Sequence, residues 1–454
     1  MKNQVRYFLP SLLSCSTFTS GMLFFTMRHP YGQLPSFGTI LIIGEGIIIF
    51  IWGPKLLLSF LLAAWSQWQP HETIDPRRPY TPLVSVIIPG RNEAAGIVAT
   101  LKTVLNSTYR HVEVIFIDNA STDNTEEVMQ AFLAKYAYAT ANSPDIPVLY
   151  IRETREGKGV AMNTGILAAH GELVLTIDAD SAMHEDCIAA FVEAFRHPQV
   201  MAGVGSIRVG NMQTWLGRAQ FLEYMASFYL KRSESLIGQV MVMGGTCACF
   251  RRSAFFEMGG YINLGPSEDF EITLRLHLYG KKIIHVPWAV VHTEAPDTLK
   301  GLFAQRKRWK RGGMTVLVDY WQQKAYWTRR PKAHKFFFWF TLPWLIVEYI
   351  GLIVAALFFI GMVAYSLLTG DWHGELGATL LSVAVTLVLA MEAKGEDRLF
   401  LLLLAPCSLF LNLSITFIEV AALLRSVVSL ARGEHVQWLT WQRQGVTGTT
   451  KQGK

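Results

Sequence analysis

The distribution of apolar residues along the chain constrains its fold more than any other feature. Residues 7–27 and 36–66 are long apolar runs, and 336–368, 376–391 and 399–425 are three more. A helix of about 20 apolar residues crosses a hydrocarbon core. The runs therefore read as two transmembrane helices within residues 1–66 and a second membrane region over 333–430, ahead of a basic tail at 431–454. Residues 7–27 follow Lys2 and Arg6 without a convincing small-x-small cleavage site, so they read as an uncleaved anchor. Residues 67–332 differ: they carry ordinary charge, turn residues and alternating strand and helix patterns. That stretch is long enough for a catalytic domain with its own core.

Composition agrees with this division. Charged residues make up 17% and hydrophobic residues 51%, against roughly 25% charged in soluble chains. A disordered chain is excluded, and an entirely soluble enzyme is disfavoured. The net charge of +6 is too mild to argue for a nucleic-acid partner, because cytoplasmic loops of membrane proteins carry such an excess anyway. The five cysteines are scattered, and Cys247 and Cys249 form CxC with no His cluster nearby, which disfavours a zinc site or disulfide framework.

Positive residues place the central domain in the cytoplasm, since Arg77, Arg78, Arg329, Arg330 and Lys332 bound it. Two helices before it put the N-terminus inside, in agreement with Lys2 and Arg6. Three crossings after it would put the basic tail outside, against the same tendency. Two resolutions stay open: 376–391 is the weakest crossing, or 336–368 is an interfacial segment plus a span, broken near Pro343.

The central domain opens as a nucleotide-binding α/β unit. Residues 83–88 are a continuous, β-branched run of the kind buried in parallel sheets. A turn at Pro89–Glu93 leads to a helix over 94–107, then a second buried strand at 112–117 that ends in Asp118. A βαβ unit binds its ligand at the carboxyl ends of its strands, which makes Glu93 and Asp118 candidates. A third strand at 173–177 runs into Asp178 and Asp180, two carboxylates spaced to converge on one hard cation. Lys158, between Gly157 and Gly159 before a helix, suggests a phosphate-facing loop. Residues 268–279 read as a helix capped by Ser267 and ended by Gly280, with Asp269 in its first turn. Gln305, Arg308 and Trp309 share i, i+3, i+4 spacing and hence one helical face. Glu45, Glu348 and Glu419 interrupt apolar runs and are expected to face a bundle interior or wet cavity. Lys55 is expected to snorkel to the interface, and Lys310 and Arg311 to lie against anionic headgroups.

In order, PGRNEA at 89–94, DNASTD at 118–123, GKGVAMNTG at 157–165, DAD at 178–180, Ser267-Glu268-Asp269 and QRKRW at 305–309 resemble the motifs of family 2 glycosyltransferases. The last motif resembles that of membrane-embedded processive polysaccharide synthases, and length and layout are most similar to poly-N-acetylglucosamine synthases. The resemblance implies a GT-A domain, Rossmann-like in its nucleotide-binding half, between N- and C-terminal transmembrane helices. It implies an inverting enzyme in the inner (plasma) membrane that extends a β-linked polysaccharide from a UDP-sugar and translocates it, with a small membrane accessory subunit as a further partner. By this resemblance Asp269 is the general base. Glu93, Asp118, Lys158, Asp178 and Arg308 hold the donor, and Asp180 binds Mg2+ or Mn2+. Gly245, Thr246, Gln305 and Trp309 face acceptor and product. The alternatives are a non-processive lipid glycosyltransferase, a hyaluronan- or cellulose-type synthase, and an inactive scaffold; the intact Asp178, Asp180 and Asp269 argue against the last.

Overall fold

The computed structural model describes residues 57–66, 80–140, 145–262, 267–323, 342–393 and 395–434. The expected first span, Glu45, Lys55 and most of the tail lie outside the described residues. Leu57–Ser66, at the end of the second apolar run, forms helix α1.

One mixed sheet organises the domain. Its strands are β1 (Val84–Gly90), β2 (Val112–Asn119), β3 (Val148–Glu153), β4 (Leu173–Thr176), β5 (Ala182–Met183), β6 (Val200–Val209), β7 (Ala248–Arg251) and β8 (Lys282–Thr293). Their order is β3-β2-β1-β4-β7-β6-β8-β5. The first four positions are parallel: β1 pairs with β2 and β4, as the apolar runs predict, and β2 with β3, a half-exposed edge strand that no apolar run marks. Every residue of β1 is buried. Beyond β4 the sheet becomes mixed, with β7 antiparallel to both β4 and β6.

Helices cover both faces. Helices α2 (Ile97–Leu105), α3 (Thr125–Ala139) and α5 (Cys187–Phe195) bury Ile97, Leu101, Met129, Phe191 and Phe195 against one face. Helices α4 (Lys158–Ala168), α7 (Arg252–Met258) and α8 (Glu268–Leu278) bury Met162, Ile166, Phe255, Ile272 and Leu276 against the other. Gly165 sets the approach of α4, because a Cβ there would lie 2.7 Å from Ile87 and Ile117.

Helices α6 (Trp215–Leu236) and α9 (Leu299–Gln322) form the side of the domain that meets the apolar region. That region comprises α10 (Leu342–Thr369), α11 (His373–Glu392), α12 (Gly395–Leu404) and α13 (Ser408–Ala431). Pro343–Thr369, His373–Glu392 and Gly395–Ala431 are each long and apolar enough to cross a membrane. The sequence marks 376–391 as the weakest crossing, but the helix extends through its polar flanks to 20 residues. A 3-10 turn at Ala405–Cys407, which contains Pro406, interrupts Gly395–Ala431.

Both ends of that interrupted segment contact the catalytic domain. Asp397, in the first turn of α12, pairs with Arg208 of β6. Toward the other end, Ser426 donates to the carbonyl of Lys307 (3.1 Å), and Arg311 donates to that of Glu434 (3.3 Å). Leu216 and Phe221 of α6, Leu302 of α9, Leu389 of α11, Leu401 of α12 and Leu411 and Ile415 of α13 share one core cluster.

Candidate active site

A cavity of about 1450 Å³ opens at the carboxyl ends of β1, β2 and β4 and continues to α10 and α13. At the strand ends its wall is shaped by local backbone geometry. Asn92, at φ 58, accepts from the backbone N–H of Thr122 (2.8 Å), which joins the loops after β1 and β2. Asn119 accepts from Gly157 N (2.8 Å) and donates to Arg155 O (2.7 Å), fixing the loop that presents Lys158. Gly157 sits at φ 129, a conformation that favours glycine.

The structure brings Glu93, Lys158, Asp178, Asp180, Gly245, Thr246, Asp269, Gln305, Arg308 and Trp309 onto one cavity wall. Asp118 is the exception. It is 1% exposed and lies behind the wall, where it accepts from Tyr150 Oη (2.9 Å) and Ser121 N (3.0 Å). Its carboxylate is consumed in shaping the turn after β2. Burial, and then the Asp118 carboxylate, push the Tyr150 phenol well above its ordinary pKa.

Lys158 pairs with Asp178. Burial pushes its pKa down, but the attraction of Asp178 and Glu268 outweighs that, so the ammonium is stabilised. Thr246 Oγ1 accepts from the backbone N–H of Asp178 (3.1 Å), and Gly245 O accepts from Thr176 (3.2 Å), so this segment is stitched to the end of β4. A Cβ on Gly245 would stand 2.9 Å from Lys158 Nζ and 3.7 Å from Asp269 Oδ2. Gly245 thus keeps open the space between the cation and the carboxylate.

Asp269 lies in the first turn of α8. Ser267 is the residue before the helix, as expected, but its hydroxyl makes no capping bond; Asp269 Oδ1 accepts from Phe270 N instead (2.8 Å). Neighbouring Glu268 is raised to about 7 by burial, with Lys158 opposing the rise and Asp269 adding to it. Glu271 is a buried tie between helices. It accepts from Arg275 (2.7 Å) and from Tyr320 of α9 (2.6 Å).

Gln305, Arg308 and Trp309 face the cavity together from α9. Gln305 is 8% exposed, and its Oε1 has no hydrogen-bond partner among the described residues. Two neighbours do not form the lipid-facing surface expected of them. Lys310 Nζ pairs with Glu419 (3.2 Å), and Arg311 is buried and donates to Thr315 (2.5 Å) and Glu434 O (3.3 Å). The packing of α13 onto α9 covers them.

The cavity is also lined by Glu223, Tyr224 and Lys231 of α6, Glu348 and Tyr349 of α10, and Glu419 of α13. The interrupted apolar pattern flags Glu348 and Glu419 in the sequence. Nothing local flags Glu223 or Tyr224, which lie in a long helix of mixed composition. Gly313 lets α10 approach, since a Cβ there would meet Tyr349 Oη at 2.7 Å.

Among the described residues, no three His, Cys, Asp or Glu side chains converge as a ready-made metal cage. Asp178 and Asp180 are two carboxylates on the cavity wall. They fit a hard divalent cation that takes one or two carboxylates and completes its shell with phosphate oxygens and water.

Comparison with known proteins agrees with this geometry. The family model for Glycosyl transferase family 2 matches residues 85–259, and that for Glycosyl transferase family group 2 matches residues 173–389. A poly-beta-1,6-N-acetyl-D-glucosamine synthase of Staphylococcus epidermidis is 32% identical over 241 residues, covering 52% of this chain and 56% of the relative. The synthase of Staphylococcus aureus strain COL is 34% identical over 229 residues, covering 50% and 53%. The chain spans about half the length of the curated relatives it matches. A mannosyltransferase from Pyrobaculum calidifontis, solved with GDP-Man and Mn2+, superposes with a TM-score of 0.58 at 22% identity, covering 87% of this chain and 99% of that one. That likeness concerns the fold. With its motifs in order along this sheet and both family models matching, the chain belongs to glycosyl transferase family 2 and carries the GT-A fold.

Proposed function

We propose that this protein is a membrane-embedded, processive, inverting glycosyltransferase that extends a β-linked poly-N-acetylglucosamine from a UDP-sugar and feeds it into the membrane. The observation that carries the reading is the continuity of one cavity from the strand-end carboxylates to Glu348, Tyr349 and Glu419 on apolar helices. The names of the staphylococcal relatives support the choice of sugar.

Each side chain then has a task. Glu93 lies on the nucleoside side of the cavity, and Asp118 acts from behind the wall by holding the turn. Lys158 and Arg308 neutralise the diphosphate. Mg2+ or Mn2+ held by Asp180 and Asp178 would supply Lewis-acid stabilisation of the leaving group. Asp269 takes the proton of the acceptor hydroxyl, whose oxygen attacks the anomeric carbon. The bond from that carbon to the diphosphate oxygen breaks, and UDP leaves with the electron pair. The backbone of α8 holds Asp269 in place, as base catalysis requires. Gln305 Oε1 accepts from a sugar hydroxyl, and Trp309 stacks on the sugar ring. In the membrane, α10 and α11 cross as a hairpin. Residues 395–431 enter and return, leaving Ala431 on the cytoplasmic side with the catalytic domain.

Purified protein in lipid nanodiscs, incubated with separate radiolabelled UDP-sugars, tests this. Long products at low donor conversion that an N-acetylglucosamine-specific hydrolase digests are the expected outcome. Singly glycosylated lipid at every time point would replace the synthase with a lipid glycosyltransferase.

A further inference from the structure

Arg306 has no task in the chemistry above, yet it is 1% exposed and stands among the largest fully buried side chains. Its Nη2 lies 2.6 Å from Glu223 Oε2 on α6, and its Nη1 lies 3.4 Å from Glu419 Oε1 on α13. Glu419 Oε2 also meets Lys310 Nζ at 3.2 Å, so two cations face two carboxylates. The Arg306 guanidinium carbon sits 4.4 Å from the ring centroid of Trp309, three residues on along the same helix.

We propose that Arg306 is a positioning residue that fixes the indole plane of Trp309 in the cavity, clamped between Glu223 of the catalytic domain and Glu419 of the membrane region. The role of the indole in holding the product rests on the synthase reading; the clamp itself rests on geometry. A planar guanidinium can bond two carboxylates at its edge while its face lies on an aromatic ring, and a lysine ammonium cannot do both. A buried cation also needs its counter-charges, so Glu223 and Glu419 determine whether Arg306 can stay where it is. The indole is thereby coupled to α13. A shift of that helix moves one of the two carboxylates on which the guanidinium bridges.

The test compares wild type with R306K, E419Q, W309A and the R306K/W309A double variant, all as full-length protein in nanodiscs. Donor KM should stay within about twofold in R306K, while early products become about two- to thirtyfold shorter, the range of a cation–π contact from exposed to desolvated. W309A should shorten products at least as much, and the double variant should be no shorter than W309A. A purely structural role would lower the amount of active enzyme and leave chain length unchanged. E419Q keeps the side-chain shape and should shorten products less than R306K, which keeps the test usable if R306K folds poorly. Oxidative footprinting read by peptide mass spectrometry checks the clamp without turnover. Labelling of Trp309 should rise in R306K and E419Q, while exposed Trp288 serves as the unchanged control. Wild-type product length in R306K, multiplying losses in the double variant, or unchanged Trp309 labelling would each overturn the clamp. A wild type that makes no polymer, with Trp309 labelling still raised in the variants, would remove the synthase reading and leave the clamp standing.

Discussion

The two ends of the cavity are built by different rules. At the strand ends, short side chains bonded to the backbone of neighbouring loops do the positioning: Asn92 and Asn119 tie adjacent loops, and Thr246 is stitched to β4. At the membrane end, side chains from distant segments do it, with Glu223, Arg306 and Glu419 meeting from three helices. A site fixed by short side chains tied to backbone suits bond-making, where small displacements are costly. A site made by long side chains on separable helices suits holding a chain that must also advance. Under the proposed function, chemistry falls at one end and retention at the other.

The largest expected effect tests the first assignment. Asp269→Asn keeps the shape and the start of α8 but removes the proton acceptor. Initial rates of UDP release should fall by about 10²–10⁴-fold with donor KM little changed. Near-normal turnover would move the base elsewhere, with Glu268 first in line. Next in size, Asp180→Asn should lower the rate by about a hundredfold or more, in keeping with the several kcal/mol a metal supplies to transition-state stabilisation. Excess chelator should silence the wild type, and Mg2+ or Mn2+ should restore it. Undiminished transfer in chelator would sever the Asp178–Asp180 pair from catalysis.

The same contrast explains what could be read in the sequence. The strand-end half was legible because β1, β2 and β4 are short apolar runs whose next residues must line the site. Glu93, Asp178 and Asp180 follow from that rule, and Lys158 from the glycines beside it ahead of a helix. Asp118 follows from the rule too, and there it fails. Period and position place a residue at a strand end, but they do not say whether its carboxylate faces the cavity or its own turn. The membrane half was only partly legible. Glu348 and Glu419 stand out as acids in apolar runs, whereas Glu223 is one acid in a mixed helix, and its significance comes from Arg306, far away in sequence. Lys310 and Arg311 read as a lipid-facing surface because their partners, Glu419 for Lys310 and Glu434 O for Arg311, lie far along the sequence.

A middle-sized effect probes the membrane end without touching a charge. In Gly313→Ala the new methyl would meet Tyr349 Oη at 2.7 Å, so the Tyr349 side chain, or α10 with it, must shift away from α9. Overpacking of this kind costs about 1–3 kcal/mol, visible as a lower midpoint of thermal unfolding. Product length should shorten, with the initial rate of UDP release within about threefold of wild type, the smaller part of that same strain. A rate loss comparable to that of Asp269→Asn would show that the two ends are not separable.

The smallest effect concerns charge balance. Burial raises both Glu223 and Glu268, with a cation opposing the rise (Arg306 and Lys158) and a neighbouring acid adding to it (Glu419 and Asp269). Burial, opposed by Lys158 and reinforced by Asp269, raises Glu268 from 4.5 to about 7. The folded protein therefore keeps a proton there that the unfolded chain has already released. The contribution of this group to stability is fully present below about pH 4.5 and is lost as pH rises through about 7. Glu268→Gln is neutral at every pH. The unfolding midpoint of E268Q minus that of wild type should rise between pH 4.5 and 7 and then level off. Over the same interval the rate of wild type should vary by about twofold more than that of E268Q, because ionised Glu268 competes with Asp269 for the Lys158 charge. A midpoint difference that is flat with pH would show that Glu268 ionises normally, and the two ends of the cavity would then differ in their charge balance, since burial raises Glu223.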